Sequence, residues 1–97
     1  MDNTKEMTAE EMMINSLKMK IAKKYKQVKR GFFEIGEFYL FSRGLVEGVR
    51  TALLYSDKDL TGSNCFSELK EIEKIVSTIY GGTPEQAEEA KEKILFF

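Results

Sequence analysis

The 97-residue sequence contains no histidine and no tryptophan. Without histidine, the chain lacks the side chain that most often acts as a general base near neutral pH, and it lacks the commonest zinc ligand. The glutamates of the central segment cannot form the Glu-x-x-His pairs of di-iron bundles either. We therefore expect that the protein is not an enzyme and that it needs no cofactor.

Cysteine and proline occur once each, and long apolar runs are absent. Cys65 cannot form an intrachain disulfide, and the polar, acidic N-terminal residues do not resemble a signal peptide. Charged residues such as Glu37 and Arg43 interrupt the most apolar stretch before it reaches the roughly 18–20 apolar residues of a membrane span. These absences predict a cytoplasmic protein with no membrane partner.

The composition is that of a folded helical domain. Hydrophobic residues make up 42% of the chain and charged residues 32%, which is ordinary for a globular protein. The single proline and the many lysine, glutamate, leucine and isoleucine residues favour helix over sheet. A chain of this length forms one domain, so we predict a single helical domain over residues 1–97, with residues 1–7 disordered.

The most apolar segment, residues 31–56, reads GFFEIGEFYLFSRGLVEGVRTALLYS. It predicts a hydrophobic helix over about residues 32–55, and Gly44 leaves open whether that helix is continuous or kinked. Apolar residues spaced by three and four predict amphipathic helices over about residues 9–29, 64–80 and 84–96. The expected fold is an all-α, compact bundle of three to four helices around the central hydrophobic helix.

Apolar residues nearly encircle this central helix, and three short amphipathic neighbours are not expected to cover all of them. Gly44, Gly48 and Ala52 follow one another at four-residue spacing, which forms a groove where another helix backbone can approach closely. The chain also ends in Leu-Phe-Phe. We therefore predict protein–protein contact, either with another protein or through self-association as a homodimer. The predicted partner-binding residues are Phe38, Phe41, Gly44, Leu45, Gly48, Ala52, Phe96 and Phe97.

Residues 18–30 contain seven basic residues and no acidic residue. A basic helix can neutralise phosphates, and the ring of Tyr25 or Phe33 could stack on a base. A net charge of −1 and the preference for lysine over arginine instead favour a simple solvated helix face. The first alternative function is therefore a nucleic-acid-binding regulator that uses Lys20, Lys23, Lys26 and Arg30.

The polar segment 57–68 resembles, in part, the calcium-binding loop of EF-hand proteins. Its oxygen ligands would come from Asp57, Asp59, Thr61 and Glu68, with a glycine at the required turn. A hydroxyl at the fifth position, Asn64 at the eighth and the lack of a second loop depart from that pattern. Calcium binding is thus a further alternative, beside an ordinary turn between two helices.

Overall fold

The computed structural model describes residues 8–56 and 64–97. Within these residues there are four helices: α1 (Ala9–Lys29), α2 (Ile35–Leu54), α3 (Cys65–Gly81) and α4 (Pro84–Leu95). No strand occurs in the described ranges, which confirms the predicted all-α bundle. The expected disorder of residues 1–7 and three of the proposed calcium ligands, Asp57, Asp59 and Thr61, lie outside the described residues.

Local hydrogen bonds explain where two of the helices begin. The Thr8 hydroxyl accepts a hydrogen bond from the Glu11 amide at 3.1 Å. At the start of α4, the Gln86 amide donates to the Thr83 hydroxyl at 3.2 Å, and the Thr83 amide donates to the Gln86 side chain at 3.1 Å. Pro84 occupies the first turn of α4, where its missing N–H costs nothing. Each cap contributes about 1 kcal/mol.

A left-handed glycine ends α1. Gly31 has a φ of 84°, and the amides of Gly31 and Phe32 donate to the carbonyls of Val28 and Gln27 at 2.9 and 3.0 Å. This pattern is the Schellman motif. The turn delays the start of α2 to Ile35, three residues beyond the predicted start, and α2 then continues through Gly44 to Leu54 without interruption.

The middle of the bundle is formed by α1 and α3, each of which contacts the three other helices. Helix α2 packs on α1 and α3, but among the described residues it does not contact α4. The structure thus differs in one detail from the predicted arrangement around α2. Burial follows the same arrangement, since α3 buries six of its 17 residues and α2 buries only four of 20.

The core consists of side chains from all four helices. The apolar side chains that are at most 2% exposed are Ile14, Leu17, Ile21, Phe38, Val46, Leu69, Ile72, Val76 and Ile94, and the polar Ser42 is buried with them. At the margin of the α2–α3 contact, the Arg50 guanidinium pairs with Glu47 on its own helix and with Glu73 on α3. The core therefore holds one side of α2 against α1 and α3 and leaves the other side in solvent.

Candidate functional site

The solvent side of α2 carries a set of apolar and small residues that we call the α2 face: Leu40, Phe41, Gly44, Gly48 and Ala52. Spacings of three and four residues place them on one side of the helix, and all five are exposed. The exposed fraction is 70% for Leu40 and 39% for Phe41. Helix α2 thus presents apolar groups on the side that no described helix covers.

The two glycines of the α2 face are not required by packing within the described chain. A Cβ atom added at Gly44 or at Gly48 would meet no heavy atom within 4 Å. The close helix approach that the glycine spacing suggests is therefore not made by any of the described helices. Each interior glycine costs a helix about 1 kcal/mol relative to alanine, and the described fold contains no contact that offsets this cost.

A shallow groove of about 300 Å³ runs between α1 and α2, beside the α2 face. Its apolar lining comes from Met12, Met13, Leu17, Leu45 and Val49, and Ser16 and Lys20 complete it. Leu45 lies one helical turn from Phe41, so the groove and the α2 face adjoin each other. Met12, which is 56% exposed, adds a flexible side chain to this surface.

The predicted partner-binding residues do not all lie on this surface. Phe38 is fully buried, and its ring packs edge-on against Tyr25 with 5.6 Å between ring centroids. It belongs to the core of the monomer and is not available on the surface. Phe96 is 89% exposed, and Phe97 is half-buried with the Lys18 ammonium 6.0 Å from its ring centroid. Since α4 does not touch α2 in the described structure, this C-terminal pair is separate from the α2 face.

Leu40 and Phe32 are exposed apolar residues that the predicted partner-binding set leaves out. Leu40 shares the four-residue line of Gly44 and Gly48, which is the signal that would have found it. Phe32 is 70% exposed, and its place directly after the helix-ending Gly31 is the corresponding signal. An apolar residue in a tight turn has few neighbours that can cover it.

The four predicted nucleic-acid-binding residues, Lys20, Lys23, Lys26 and Arg30, are all exposed. We call them the basic row. Their spacings of three, three and four residues keep them on one side of α1 over roughly 15 Å. None forms an ion pair with a carboxylate of the described residues.

The two rings predicted to stack on a base are not open. Tyr25 is only 6% exposed. The Lys24 ammonium lies 3.1 Å from the ring centroid of Phe33 and 4.8 Å from that of Phe41. A cation at this position is attracted by the negative face of a ring. The Lys24 ammonium therefore covers the Phe33 ring and makes a cation–π contact with it.

Two ionisable groups have shifted pKa values. Burial raises the pKa of the Tyr25 phenol. The hydrogen bond that Arg50 donates to Glu73, assisted by one that it donates to Glu47, raises the pKa of the Arg50 guanidinium. Both shifts favour the form already present at neutral pH, so neither creates a group that titrates near pH 7.

The proposed calcium loop is represented in the described residues only by its last ligand. Glu68 is exposed in the first turn of α3. Across residues 8–56 and 64–97, no three acidic or cysteine side chains come close enough together to hold a metal ion. Calcium binding by the 57–68 loop stays a prediction.

The described fold and its surfaces define a small helical bundle with an apolar α2 face and a basic row on α1. Comparisons with protein-family models, with curated proteins and with solved structures find no match to this chain. None of the four described helices has the length and apolar content needed to cross a bilayer.

Proposed function

We propose that this protein acts through protein–protein contact and that it forms a homodimer through the α2 face. The observation that supports this proposal is the pair of open glycines beside two exposed apolar side chains, Leu40 and Phe41. Helices packed through ordinary side chains stay about 8–10 Å apart. Glycines on the contact line let a second helix approach more closely and touch the backbone.

Two copies of α2 that cross near Gly44 and Gly48 would bury these residues reciprocally. In a two-fold dimer the same patch is used by both chains, so each copy covers the Leu40 and Phe41 of the other. The adjoining α1–α2 groove would then receive side chains of the partner. Such an arrangement removes exposed apolar area from water, at about 25 cal/mol per Å².

The exposed end of α4 is a second contact in this proposal. Leu95 is 45% exposed and Phe96 is 89% exposed. Because α4 lies apart from α2, this pair is available to a different protein while the α2 face is occupied. The proposed setting is the cytoplasm, where a chain with a single cysteine needs no disulfide partner.

The solution mass tests the proposal. We would measure it by light scattering on a size-exclusion column for the wild type and for Gly48→Leu, with Gly81→Leu as the matched control. Gly81 is also an exposed helical glycine with open space around its Cβ position. The chain mass is 11.2 kDa, and we expect twice this value for the wild type and for Gly81→Leu. Gly48→Leu should shift the protein toward the monomer.

A wild type that stays monomeric at all accessible concentrations would refute self-association. A dimer that Gly48→Leu leaves unchanged would place the interface away from the α2 face. Circular dichroism of each variant separates these outcomes from a loss of folding. Because the Cβ position of Gly48 is open, we expect the variant monomer to keep its helix content.

Nucleic-acid binding through α1 is the second proposed function. It is supported by the basic row, whose four cations are exposed and make no ion pairs within the described residues. When such cations bind the phosphates of a nucleic acid, counterions are released from the phosphates. The affinity for nucleic acid therefore falls steeply as the salt concentration rises. Fluorescence anisotropy with mixed DNA and RNA oligonucleotides tests this proposal, and absence of binding at low salt would refute it.

A further inference from the structure

We infer that α1 and the turn after it bind single-stranded nucleic acid, and that a base stacks on the ring of Phe32. This inference rests on the second proposed function and names its substrate class. It combines two observations, the exposed Phe32 ring and the end of the basic row at Arg30.

The turn after α1 holds Phe32 next to the basic row. The Phe32 amide donates to the Gln27 carbonyl at 3.0 Å, so the backbone of Phe32 folds back on the last turn of α1. Arg30 is the cap residue of the same turn. The left-handed Gly31 between them makes this return possible. One end of the basic row therefore adjoins an aromatic residue.

The exposure of this ring is unusual for a phenylalanine. Burying a phenylalanine side chain stabilises a fold by roughly 1.5–3 kcal/mol, yet Phe32 remains 70% exposed. Its neighbour Phe33 is covered by the Lys24 ammonium. The turn thus leaves the Phe32 ring open, two residues after Arg30 at the end of the basic row. An open ring at the edge of a basic track is the usual arrangement of a single-strand binding site.

The exposed charges of α1 from residue 18 onward are all positive. The exposed cations are Lys20, Lys23, Lys26, Lys29 and Arg30. The opposing groups are Glu34 and Glu37 at the start of α2, where carboxylates also interact favourably with the helix dipole. A polyanion would be repelled by these two glutamates and attracted to the basic row. The basic row is long enough for a few nucleotides.

Single strands fit this surface better than a duplex or a lipid surface. A base can stack on Phe32 only when it is unpaired. Lysines act as point charges without the bidentate geometry that reads base edges in a groove. Insertion of Phe32 into a lipid surface would engage the turn but leave Lys20, twelve residues earlier in the chain, well away from the headgroups.

The experiment measures binding of labelled oligothymidylate and oligouridylate by anisotropy across a salt series. A DNA hairpin duplex and vesicles that contain phosphatidylserine are the competing ligands. The variants are Phe32→Ala, Phe32→Trp and Lys23→Gln. The matched controls are Phe66→Ala, at an exposed phenylalanine of α3, and Lys70→Gln, at an exposed lysine of the same helix. Circular dichroism confirms that each variant is folded.

We expect Phe32→Ala to weaken single-strand binding by roughly 5- to 150-fold, the range measured for loss of one stacked base. Its salt dependence should be unchanged because no charge is lost, and Phe32→Trp should retain binding. Lys23→Gln should reduce the slope of log affinity against log salt by about 0.7. Phe66→Ala and Lys70→Gln should bind like the wild type.

Each other outcome overturns a defined part of the reasoning. Salt-dependent binding that Phe32→Ala leaves intact would refute the stacking site and keep the nucleic-acid proposal. Equal or tighter binding of the duplex would refute the preference for single strands. Binding to the anionic vesicles without binding to any oligonucleotide would show that this surface binds lipid and not nucleic acid. No binding to any oligonucleotide would refute both this inference and the second proposed function.

Discussion

Replacing Gly44 or Gly48 by alanine should stabilise the folded monomer. Alanine is favoured over glycine in a helix interior by about 1 kcal/mol. The new methyl group meets no heavy atom within 4 Å at either position, so no clash in the described structure subtracts from this gain. The free energy of unfolding of the double variant should be about 2 kcal/mol higher than that of the wild type. For a domain of this size that corresponds to a rise in melting temperature of roughly 8–16 °C.

Two other glycines provide controls with the opposite sign. At Gly82 a Cβ atom would lie 2.6 Å from the Thr78 carbonyl oxygen, so alanine there should destabilise the fold. At Gly31 the φ of 84° is a conformation that alanine rarely adopts. Alanine at Gly31 should cost about 1–2 kcal/mol for this reason.

The assay is urea denaturation followed by circular dichroism at several protein concentrations. At concentrations low enough for monomer, each single variant should show the full gain. If the α2 face is an interface, association stabilises the wild type by mass action, and the advantage of the variants should shrink as concentration rises. Loss of stability in the monomer would refute the reasoning, because it would show that the glycines are needed by the fold itself.

The remaining predictions concern buried and loop residues. Phe38→Ala should destabilise the monomer by about 3–5 kcal/mol in urea denaturation, since Phe38 is fully buried; a change in association alone would contradict its place in the core. Ser42→Ala should stabilise the fold by about 1 kcal/mol, because the buried hydroxyl has no hydrogen-bond partner among the described residues. The exposed Ser77→Ala is its control, and an equal effect at both sites would contradict this explanation. If the 57–68 loop binds calcium, millimolar calcium should raise the melting temperature, and Glu68→Gln should abolish the rise; an unchanged wild-type melting temperature would rule the site out.

Helix positions were predictable from the sequence because their signals are local. The predicted helix over residues 9–29 agrees with α1 (Ala9–Lys29), and the predicted start of α4 agrees with Pro84. In both cases a threonine cap and the spacing of apolar residues lie within a few residues of the helix end. The start of α2 was predicted three residues early, because the return of the chain after Gly31 depends on hydrogen bonds across the turn.

The set of exposed side chains was less predictable, because it depends on which side of each helix packs against another helix. Phe38 and Phe41 lie three residues apart on α2, yet Phe38 is fully buried and Phe41 is 39% exposed. Apolar residues surround much of α2, so periodicity alone does not select its buried side. The position of Phe41 also depends on Lys24, which lies 4.8 Å from its ring centroid.

The sequence by itself determined the all-α class, the helix ends set by caps and the separation of a basic α1 from an apolar α2. Only the tertiary structure decided that α1 and α3 form the middle of the bundle, that Gly44 and Gly48 face open space and that Phe32 remains exposed. Caps and periodicity act over neighbouring residues. Burial is decided by contacts between helices that are far apart in the chain.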